Sequence, residues 1–555
     1  MKKILAIVLA LACVLSLCAC GGAASQSGST SQGSSNKGSE GKVTLKIGLP
    51  TSAMVLDHKE NALTKWVEEQ CNVNLIFEEY AGGSDVATQI STAIAARQEL
   101  PDILYGVMLG ESAVSRYGKD GYLLDLSDYY ADKEGVAKNF WSRIDTELTT
   151  TEREIVLRKI TDAETGAIYG VPAVETSLID SMRFQMWINK EWLDYLKLDI
   201  PTNNEELYTV LKAFKEKDPN QNGKADEIPL FGSQAGGLCS NVIDWLINLF
   251  IYYNPNRKWN IDENGTIYPV YTTDEYREAL KFINKLYKEQ ILTQLAWTTT
   301  SSEMKQIITP ANGTALVGVF AGHLSVHTTR DNEVMYQYVP MQTWGYAVRN
   351  DLACHVNTFI TEDCEYPDKA FEVLMTLWSK EGSMRVRYGE YGVNWDYPDE
   401  GAVSELGLPA AYKLHWDPLN GQTTAKWSFI ASAFNTAAEG ETAQMSDQMT
   451  EWQIKKAALH AESVELFQWV EENRNNPDEM CPLLTFTEDE KEETSVERTN
   501  VDNRASKAQA EFCTGTLNPN SDADWNAYLK QLNELGLEIY QEYMQKGYDR
   551  GGVTN

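Results

Sequence analysis

Between Val43 and Gly106 the chain switches repeatedly between two hydrophobic periods, and that alternation restricts the fold more than any other feature. Val43-Thr-Leu-Lys-Ile-Gly-Leu49 alternates with period 2 and predicts a strand closed by Pro50. Asn61 to Glu69 reads as a helix, and Val73-Asn-Leu-Ile-Phe77 as a second strand. Asp85 to Arg97 carries Val86, Ile90, Ala93 and Ile94 on one helical stripe. Leu100 to Gly106 then returns as a short buried strand. Each helix between strands carries the chain back across a sheet, so the strands are parallel and the fold class is α/β.

Further elements follow the same signals. Ile168–Pro172, Met186–Asn189 and Gly313–Phe320 read as strands. Glu191–Leu196 and Asn241–Tyr252 read as helices, and Thr273–Glu289 as an amphipathic helix capped by Thr273. Thr202 with Glu205 predicts a capped helix running through Phe214. Pro367 opens a helix that reaches Ser379. Residues 390–430 are rich in Tyr, Trp, Gly and Pro and predict an irregular aromatic segment. Asp447–Trp469 reads as helix, 486–506 as a charged exposed connection, and Ser521–Tyr548 as one long helix.

The start of the chain points to the cell envelope. Lys2 and Lys3 precede an apolar run, Ile4 to Leu17, of signal-peptide length and too short to span a bilayer comfortably. It ends in Leu17-Cys18-Ala19-Cys20-Gly21, which resembles a bacterial lipobox. That resemblance implies a signal peptide over 1–19, cleavage before Cys20 and a diacylglyceryl group on its sulfur; an ordinary secretory signal with a chance cysteine is the alternative. Two acyl chains hold a protein at a membrane where one does not. Residues 20–42, mostly Gly, Ser, Gln and Ala, then form a flexible tether with a reach of about 25 Å. The remainder is long enough for two or more domains. A formal net charge of −32 argues against nucleic acid or anionic lipid as partner. Of nine cysteines, Cys71, Cys239, Cys354, Cys364, Cys481 and Cys513 lie beyond the anchor. None has zinc-site spacing, and neither a disulfide such as Cys354–Cys364 nor buried free thiols is singled out.

The run Asp218-Pro-Asn-Gln-Asn-Gly-Lys-Ala-Asp-Glu-Ile-Pro229 sets oxygen-bearing side chains at alternate positions around Gly223. Calcium takes six to eight oxygens, and the first six positions fit the EF-hand loop pattern. Pro229 stands where the closing Glu belongs, so Asp226 and Glu227 must supply the missing carboxylates. The expected ligands are Asp218, Asn220, Asn222, the Lys224 carbonyl, Asp226 and Glu227, with a plain Asn-Gly turn as the alternative.

Four stretches carry a family resemblance: the lipobox with its tether, Gln89–Ile103, Trp187–Thr202 leading into Asp218–Leu230, and Phe359–Ala370 followed by Tyr388–Trp395. On these the chain resembles an extracellular solute-binding lipoprotein (family 1, sugar-binding type) of an ABC importer, similar to the alginate-oligosaccharide binders. The resemblance implies a two-lobed, periplasmic-binding-protein-like (type II) fold with a hinge and an interlobe cleft. It places the calcium loop in lobe two, away from the ligand, and gives the calcium a structural part. Lobe one is expected over 43–170 plus 318–350 and lobe two over 171–317 plus 351–490, with 491–555 unassigned. Crossings between lobes are expected near Ile168–Ala173, Gly313–Phe320 and Trp344–Asn350. The implied partners are an oligosaccharide or other small solute and the ABC permease subunits, for a monomer held at the outer face of the membrane.

Candidate ligand contacts are Ser52, Tyr80, Asp85 and Tyr105 at strand ends, and Trp187, Asp244 and Trp245 from lobe two. His323 and Trp344 lie beside the expected crossings, and Tyr388, Tyr391 and Trp395 in or beside the aromatic segment. Aromatic faces suit the C–H face of a sugar, with polar neighbours bonding its hydroxyls. Arg183 and Arg387 could pair with a uronate carboxylate. The alternative for most of these aromatics is core packing. No hydrolase, protease or nucleotide-binding motif is present, and six histidines leave little for imidazole catalysis. A binding protein without enzymatic activity is expected, with a surface enzyme or adhesin acting on polysaccharide as the alternative.

Overall fold

The computed structural model describes residues 41–551 except 82–84, 179–184, 236, 238, 310–313, 329–335, 339–344, 347, 349–351, 405, 416–422, 428–432, most of 446–479, and 485. The expected signal peptide, Cys20 and the tether up to residue 40 lie outside the described residues, as does most of the helix expected over 447–469.

The first third of the body alternates as the periodicity requires. It runs β1 (Val43–Pro50), α1 (Ala62–Cys71), β2 (Val73–Tyr80), α2 (Asp85–Ala95), β3 (Ile103–Leu104), α3 (Glu111–Lys119), α4 (Ser127–Ala131), α5 (Lys138–Glu147), α6 (Thr150–Ile160) and β4 (Val171–Glu175). Asn61 caps α1 by accepting from the Leu63 N–H, and Thr149 and Glu152 form a capping box on α6.

The chain then enters a second layer: β5 (Met186–Asn189), α7 (Lys190–Leu196), α8 (Asn204–Glu216), β6 (Ile228–Phe231), α9 (Val242–Ile247), β7 (Trp259–Ile261), β8 (Ile267–Pro269), α10 (Asp274–Lys288), α11 (Ser301–Ile308), β9 (Val317–Ala321), α12 (Leu324–His327) and β10 (Tyr336–Tyr338). It returns to the first layer for β11 (Ala353–Ile360), α13 (Pro367–Leu377), α14 (Lys380–Tyr388), β12 (Trp395–Asp396), β13 (Lys413–Leu414), β14 (Phe434–Asn435) and α15 (Ala437–Glu441). Four helices end it: α16 (Glu488–Glu493), α17 (Ser495–Thr514), α18 (Asp522–Glu534) and α19 (Leu537–Asp549).

These elements make two lobes, each built on its own sheet. Lobe one has the order β14-β4-β11-β3-β1-β2, with β11 antiparallel to both neighbours and the other pairs parallel. Lobe two has the order β10-β5-β9-β6, with β6 and β9 parallel and β5 reversed. The lobe boundaries therefore differ from the expected ones. β9 and β10, expected in lobe one within 318–350, belong to lobe two, because both pair with β5. β11 and β14, expected in lobe two, belong to lobe one, because β11 pairs with β3 and β4, and β14 with β4. The expected crossing at Gly313–Phe320 holds instead the start of the lobe-two strand β9 at Val317, and that at Ile168–Ala173 runs into β4 at Val171. The chain crosses after Glu175, before β11, and between Gln444 and Met480. Register alone decides this membership, and hydrophobic period is blind to which neighbour a strand pairs with.

The C-terminal helices, unassigned from sequence, complete lobe two. Val501, Ala505, Ala508 and Phe512 of α17 form a helical stripe packed into the same core as Leu280 and Ile283 of α10. The segment expected as an exposed connection over 486–506 is thus mostly α16 and α17; its dense surface charge masked a buried stripe. The expected single helix over 521–548 breaks at Gly536, whose φ is 97° and where a Cβ would stand 2.5 Å from Glu497 Cγ. The helix expected over 241–252 ends at Ile247. There the Asn248 amide donates to the Asp244 and Tyr253 carbonyls and accepts from the Tyr253 N–H, turning the chain. The N-cap of α8 is Asn203 rather than Thr202. All six cysteines of the body are unbridged, including Cys354 and Cys364.

Candidate ligand cleft and calcium loop

Five strands of lobe one, all but β11, end at the same sheet edge. In lobe two, β6 and β9 end where β5 begins. The chain crosses from Glu175, at the first edge, to Met186, at the second. The carboxyl edges of both sheets therefore meet the same crossing, which is where open α/β sheets hold ligands.

A cavity of about 270 Å³ opens at the lobe-one edge, lined among others by Met108, Glu175, His355, Asn357, Arg387 and Asn435. Arg387 lies on the last turn of α14, and its Nη1 reaches Glu175 Oε1 at 2.5 Å. Its Nε donates to the Tyr388 hydroxyl at 3.1 Å, and that hydroxyl donates to the Glu439 carbonyl at 2.8 Å. Tyr388 stacks on Tyr412 with centroids 4.6 Å apart. Behind Arg387, the buried Lys426 donates Nζ to its carbonyl at 2.7 Å. Burial, and then the neighbouring Arg387, bring the Lys426 ammonium down to about 8. Asn435 is buried, and its Oδ1 has no hydrogen-bond donor.

One buried guanidinium holds this edge in place. Arg143 of α5 donates Nη1 to the Phe434 carbonyl at 2.8 Å and to Ser383 Oγ at 3.1 Å. Its Nη2 meets both Glu439 oxygens, at 2.7 and 2.9 Å, while Nε faces Glu147. A planar fork with five donors is the side chain able to tie α5, α14, β14 and α15 at one point.

A second, larger cavity of about 440 Å³ lies between α3, α6 and residues 483–491, and shares Met108 and His355 with the first. Its wall includes Tyr169 and Gly170 at the amino end of β4. Leu484 and Phe486 pack on the lobe-two core, and Arg158 Nη1 of lobe one donates to the Gly551 carbonyl at 2.7 Å. This cavity runs from the carboxyl edge along β4 and β11 into a seam between lobes, whereas the smaller one lies at the carboxyl edge itself and is the better ligand candidate.

The residues expected from sequence disperse. Trp245 is fully buried in the lobe-two core; Trp187 is buried, with Nε1 donating to the Gly322 carbonyl; Trp395 is fully buried, with Nε1 donating to the Gly389 carbonyl. These three indoles pack in cores rather than on the cleft wall, as does Asp244, which accepts from Asn241 in the first turn of α9. Tyr105 is buried edge-on to Trp427, and Tyr388 is buried behind Arg387. Tyr391 is exposed and sits edge-on to Trp395. Ser52 follows β1, Tyr80 is the last residue of β2 and half-buried, Asp85 opens α2 and is exposed, and His323 follows β9 at the lobe-two edge. Arg183 and Trp344 lie outside the described residues. Of the expected set, only Arg387 lines the smaller cavity. Glu175, His355, Asn357, Asn435 and Met108 carried no sequence signal, because they meet only once β4, β11 and β14 are in register.

The loop after α8 is a tight turn rich in side-chain oxygens. Asp218, Gln221 and Gly223 take positive φ, and a glycine at the last is the low-cost solution. Asn222 N–H bonds Asp218 Oδ1 at 3.1 Å, Gly223 N–H bonds Asp218 Oδ2 at 3.0 Å, and the Asn222 amide donates to Asp226 Oδ1 at 2.9 Å. Burial, and then the nearby Asp218 and Asp226 charges, push the Glu227 carboxyl up, and its Oε1 is buried without a donor. Among the described residues no group of three His, Cys, Asp or Glu is gathered tightly enough to define a metal site by itself. The loop's set is instead mixed carboxylate and amide oxygen, and crowded carboxylates with an undonated buried oxygen are what a cation would relieve. The residues fit calcium.

Residues 59–384 match the family model described as bacterial extracellular solute-binding protein. The chain belongs to this family. It is 23% identical over 533 residues to the fructooligosaccharide ABC transporter substrate-binding protein FusA of Streptococcus pneumoniae serotype 4 (strain ATCC BAA-334 / TIGR4), covering 92% of this chain and 90% of FusA. An HMO-binding, ABC-transporter-associated solute-binding protein from Bifidobacterium longum infantis ATCC 15697 superposes with a TM-score of 0.72 at 21% identity, over 92% of this chain and 99% of that one. The alginate-binding protein AlgQ2, solved without calcium ion, superposes with a TM-score of 0.59 at 20% identity, over 92% and 99%. At such identities the solved structures speak for the two-lobed fold alone.

Proposed function

We propose that this protein is the substrate-binding component of an ABC importer, capturing an oligosaccharide between its lobes and presenting it to the permease. The observation that carries this is the joint placement of the Glu175–Arg387 pair, Asn435 and His355 in a cavity at the sheet edge beside the crossings. Membership of the solute-binding family and the likeness to a fructooligosaccharide receptor support it. The crossings act as the hinge, and closure buries the ligand. Ser52, Tyr80, Asp85 and His323, at or after strand ends of the two lobes, complete the wall on closure. Cys20 anchors the mature chain to the outer face of a bacterial membrane through its lipid, and the chain acts as a monomer.

Calcium would be held by Asp218, Asn220, Asn222, the Lys224 carbonyl, Asp226 and Glu227. It would supply positive charge to a crowded acidic turn, fastening α8 to β6 in lobe two without touching the ligand. Glycoside hydrolysis needs two carboxylates flanking the scissile bond. Glu175 is the one carboxylate among the residues lining the smaller cavity, and Arg387 engages it. That disfavours an enzyme. The test is incubation with oligosaccharides, followed by thermal melting and chromatography of the sugars. A raised melting temperature with the sugar recovered intact is expected; steady product release would overturn the reading. Small-angle scattering should show compaction with ligand, and its absence at saturation would count against closure.

A further inference from the structure

We infer that the larger cavity is a counter-cleft. Its two walls hold the lobes in the open arrangement and must part for the ligand cleft to close, so this seam sets ligand affinity from outside the cleft. This rests on the lobe closure proposed above and names the surface that opposes it.

The two cavities take opposite faces of the β4–β11 ribbon. Ala353, His355 and Asn357 of β11 line the smaller one, with Glu175 and Ala173 paired opposite the first two. The alternate residues Cys354 and Val356 line the larger one, and His355 stands at the rim of both. Successive residues of a strand point to opposite faces. The ribbon opens onto two of the crossings, after Glu175 and before Ala353. A rotation about the crossings that brings the lobes together on one face of the ribbon draws them apart on the other.

The lobes touch on the seam side. All the described residues lining the smaller cavity belong to lobe one, whereas the larger is walled from both lobes. Arg158, at the end of α6, donates Nη1 across the seam to the Gly551 carbonyl at 2.7 Å. Each wall is braced within its own lobe. On lobe one, Lys159 Nζ meets Glu111 Oε1 at 2.9 Å and Lys119 Nζ meets Glu164 Oε2 at 2.7 Å, tying the end of α6 and the turn after it to α3. On lobe two, Phe486 stacks on Tyr543 of α19 with centroids 3.9 Å apart, and Arg550 pairs with Glu490 of α16. With both walls braced, the seam widens by the lobes moving apart, and the Arg158–Gly551 bond is lost as they do. That bond therefore belongs to the open arrangement. Ligand binds the closed form, so its apparent affinity falls with the fraction of protein that the seam keeps open.

The experiment uses the full chain and two variants outside the cleft. Arg158→Ala removes the bond across the seam. Ala163→Trp sets a bulky side chain on the exposed turn of the lobe-one wall and wedges the seam apart. In calorimetric titration with short fructo-, galacto-, malto- and manno-oligosaccharides, each variant should bind the parent's best sugar about three-fold or more tightly. A side chain that merely supports the fold would lower melting temperature and affinity together, so melting is recorded beside each titration. Either variant binding no more tightly than the parent overturns the inference and leaves the carbohydrate reading standing. Small-angle scattering of the sugar-free double variant gives a second reading that needs no ligand: its radius of gyration should be smaller than the parent's. An unchanged or larger radius in folded protein overturns the inference. No binding of any of these sugars by the parent overturns the carbohydrate reading alone, and the scattering result then decides the seam.

Discussion

Arg143→Leu should be among the most damaging single substitutions in lobe one. The guanidinium is almost wholly buried and all three of its nitrogens are engaged, Nη2 by both oxygens of Glu439, which is 2% exposed. Without it, Glu439 keeps the Thr436 N–H at 3.0 Å as a donor for its carboxylate, but no countercharge. Glu147 is more exposed and can turn to water. Removing one partner of a buried pair costs about 3–5 kcal/mol, because a charge is left buried. For a lobe of this size each kcal/mol lowers the melting temperature by roughly 2–4 °C, so a drop on the order of 10 °C is expected. Urea denaturation and calorimetry read the loss. Adding Glu439→Gln removes the stranded charge while keeping the helix cap, and should restore much of it. Because β14 carries Asn435, ligand affinity should fall in the single variant and recover in part in the double. A loss below about 1 kcal/mol, or a double variant no better than the single, would refute the reasoning.

Chelation with EGTA should lower the melting temperature by several degrees, as expected for about 2–3 kcal/mol of linked binding at saturation, with ligand affinity almost unchanged. Lost ligand binding with the fold intact would show that the loop is not merely a fastening, and Glu227→Gln should remove the calcium-dependent part of the shift. Lys426→Met should stabilise the protein at pH 7 by about 2 kcal/mol, the desolvation relieved less the hydrogen bond lost. Between a folded value of about 8 and the unfolded 10.5, the unfolded state binds more protons, so parental stability rises with pH and the gap to the variant closes; a gap constant from pH 7 to 10.5 would contradict this. Trp245→Ala should cost about 3–5 kcal/mol in lobe two with little change in ligand affinity beyond that of misfolding, since the indole fills a core; a stable variant that no longer binds sugar would return Trp245 to the cleft.

Local features were legible wherever a residue's own neighbours in sequence set its conformation. The strand at Val43, the helix at Asp85, the cap at Thr273 and the proline-opened α13 all follow from period and capping, which act over a few residues. Errors arose where a partner distant in sequence decided. Charge hid the α17 stripe until its packing against α10 was visible. Large aromatics invited a cleft reading, yet burial of an indole with its N–H on a backbone carbonyl, as at Trp187 and Trp395, depends on which surfaces face each other.

By itself the sequence determined an α/β chain in more than one lobe and the family to which the chain belongs. Those rest on short-range pattern and motif. Only the tertiary structure decided which strands share a sheet, which segments cross between lobes, and that Glu175, Asn435 and Arg387 form one wall. Glu175 and Asn435 are brought side by side by a single parallel pairing of β4 with β14. The reason is that β-pairing is nonlocal: a strand's sequence specifies which face it buries, whereas its neighbour is chosen by register and by the packing of everything between.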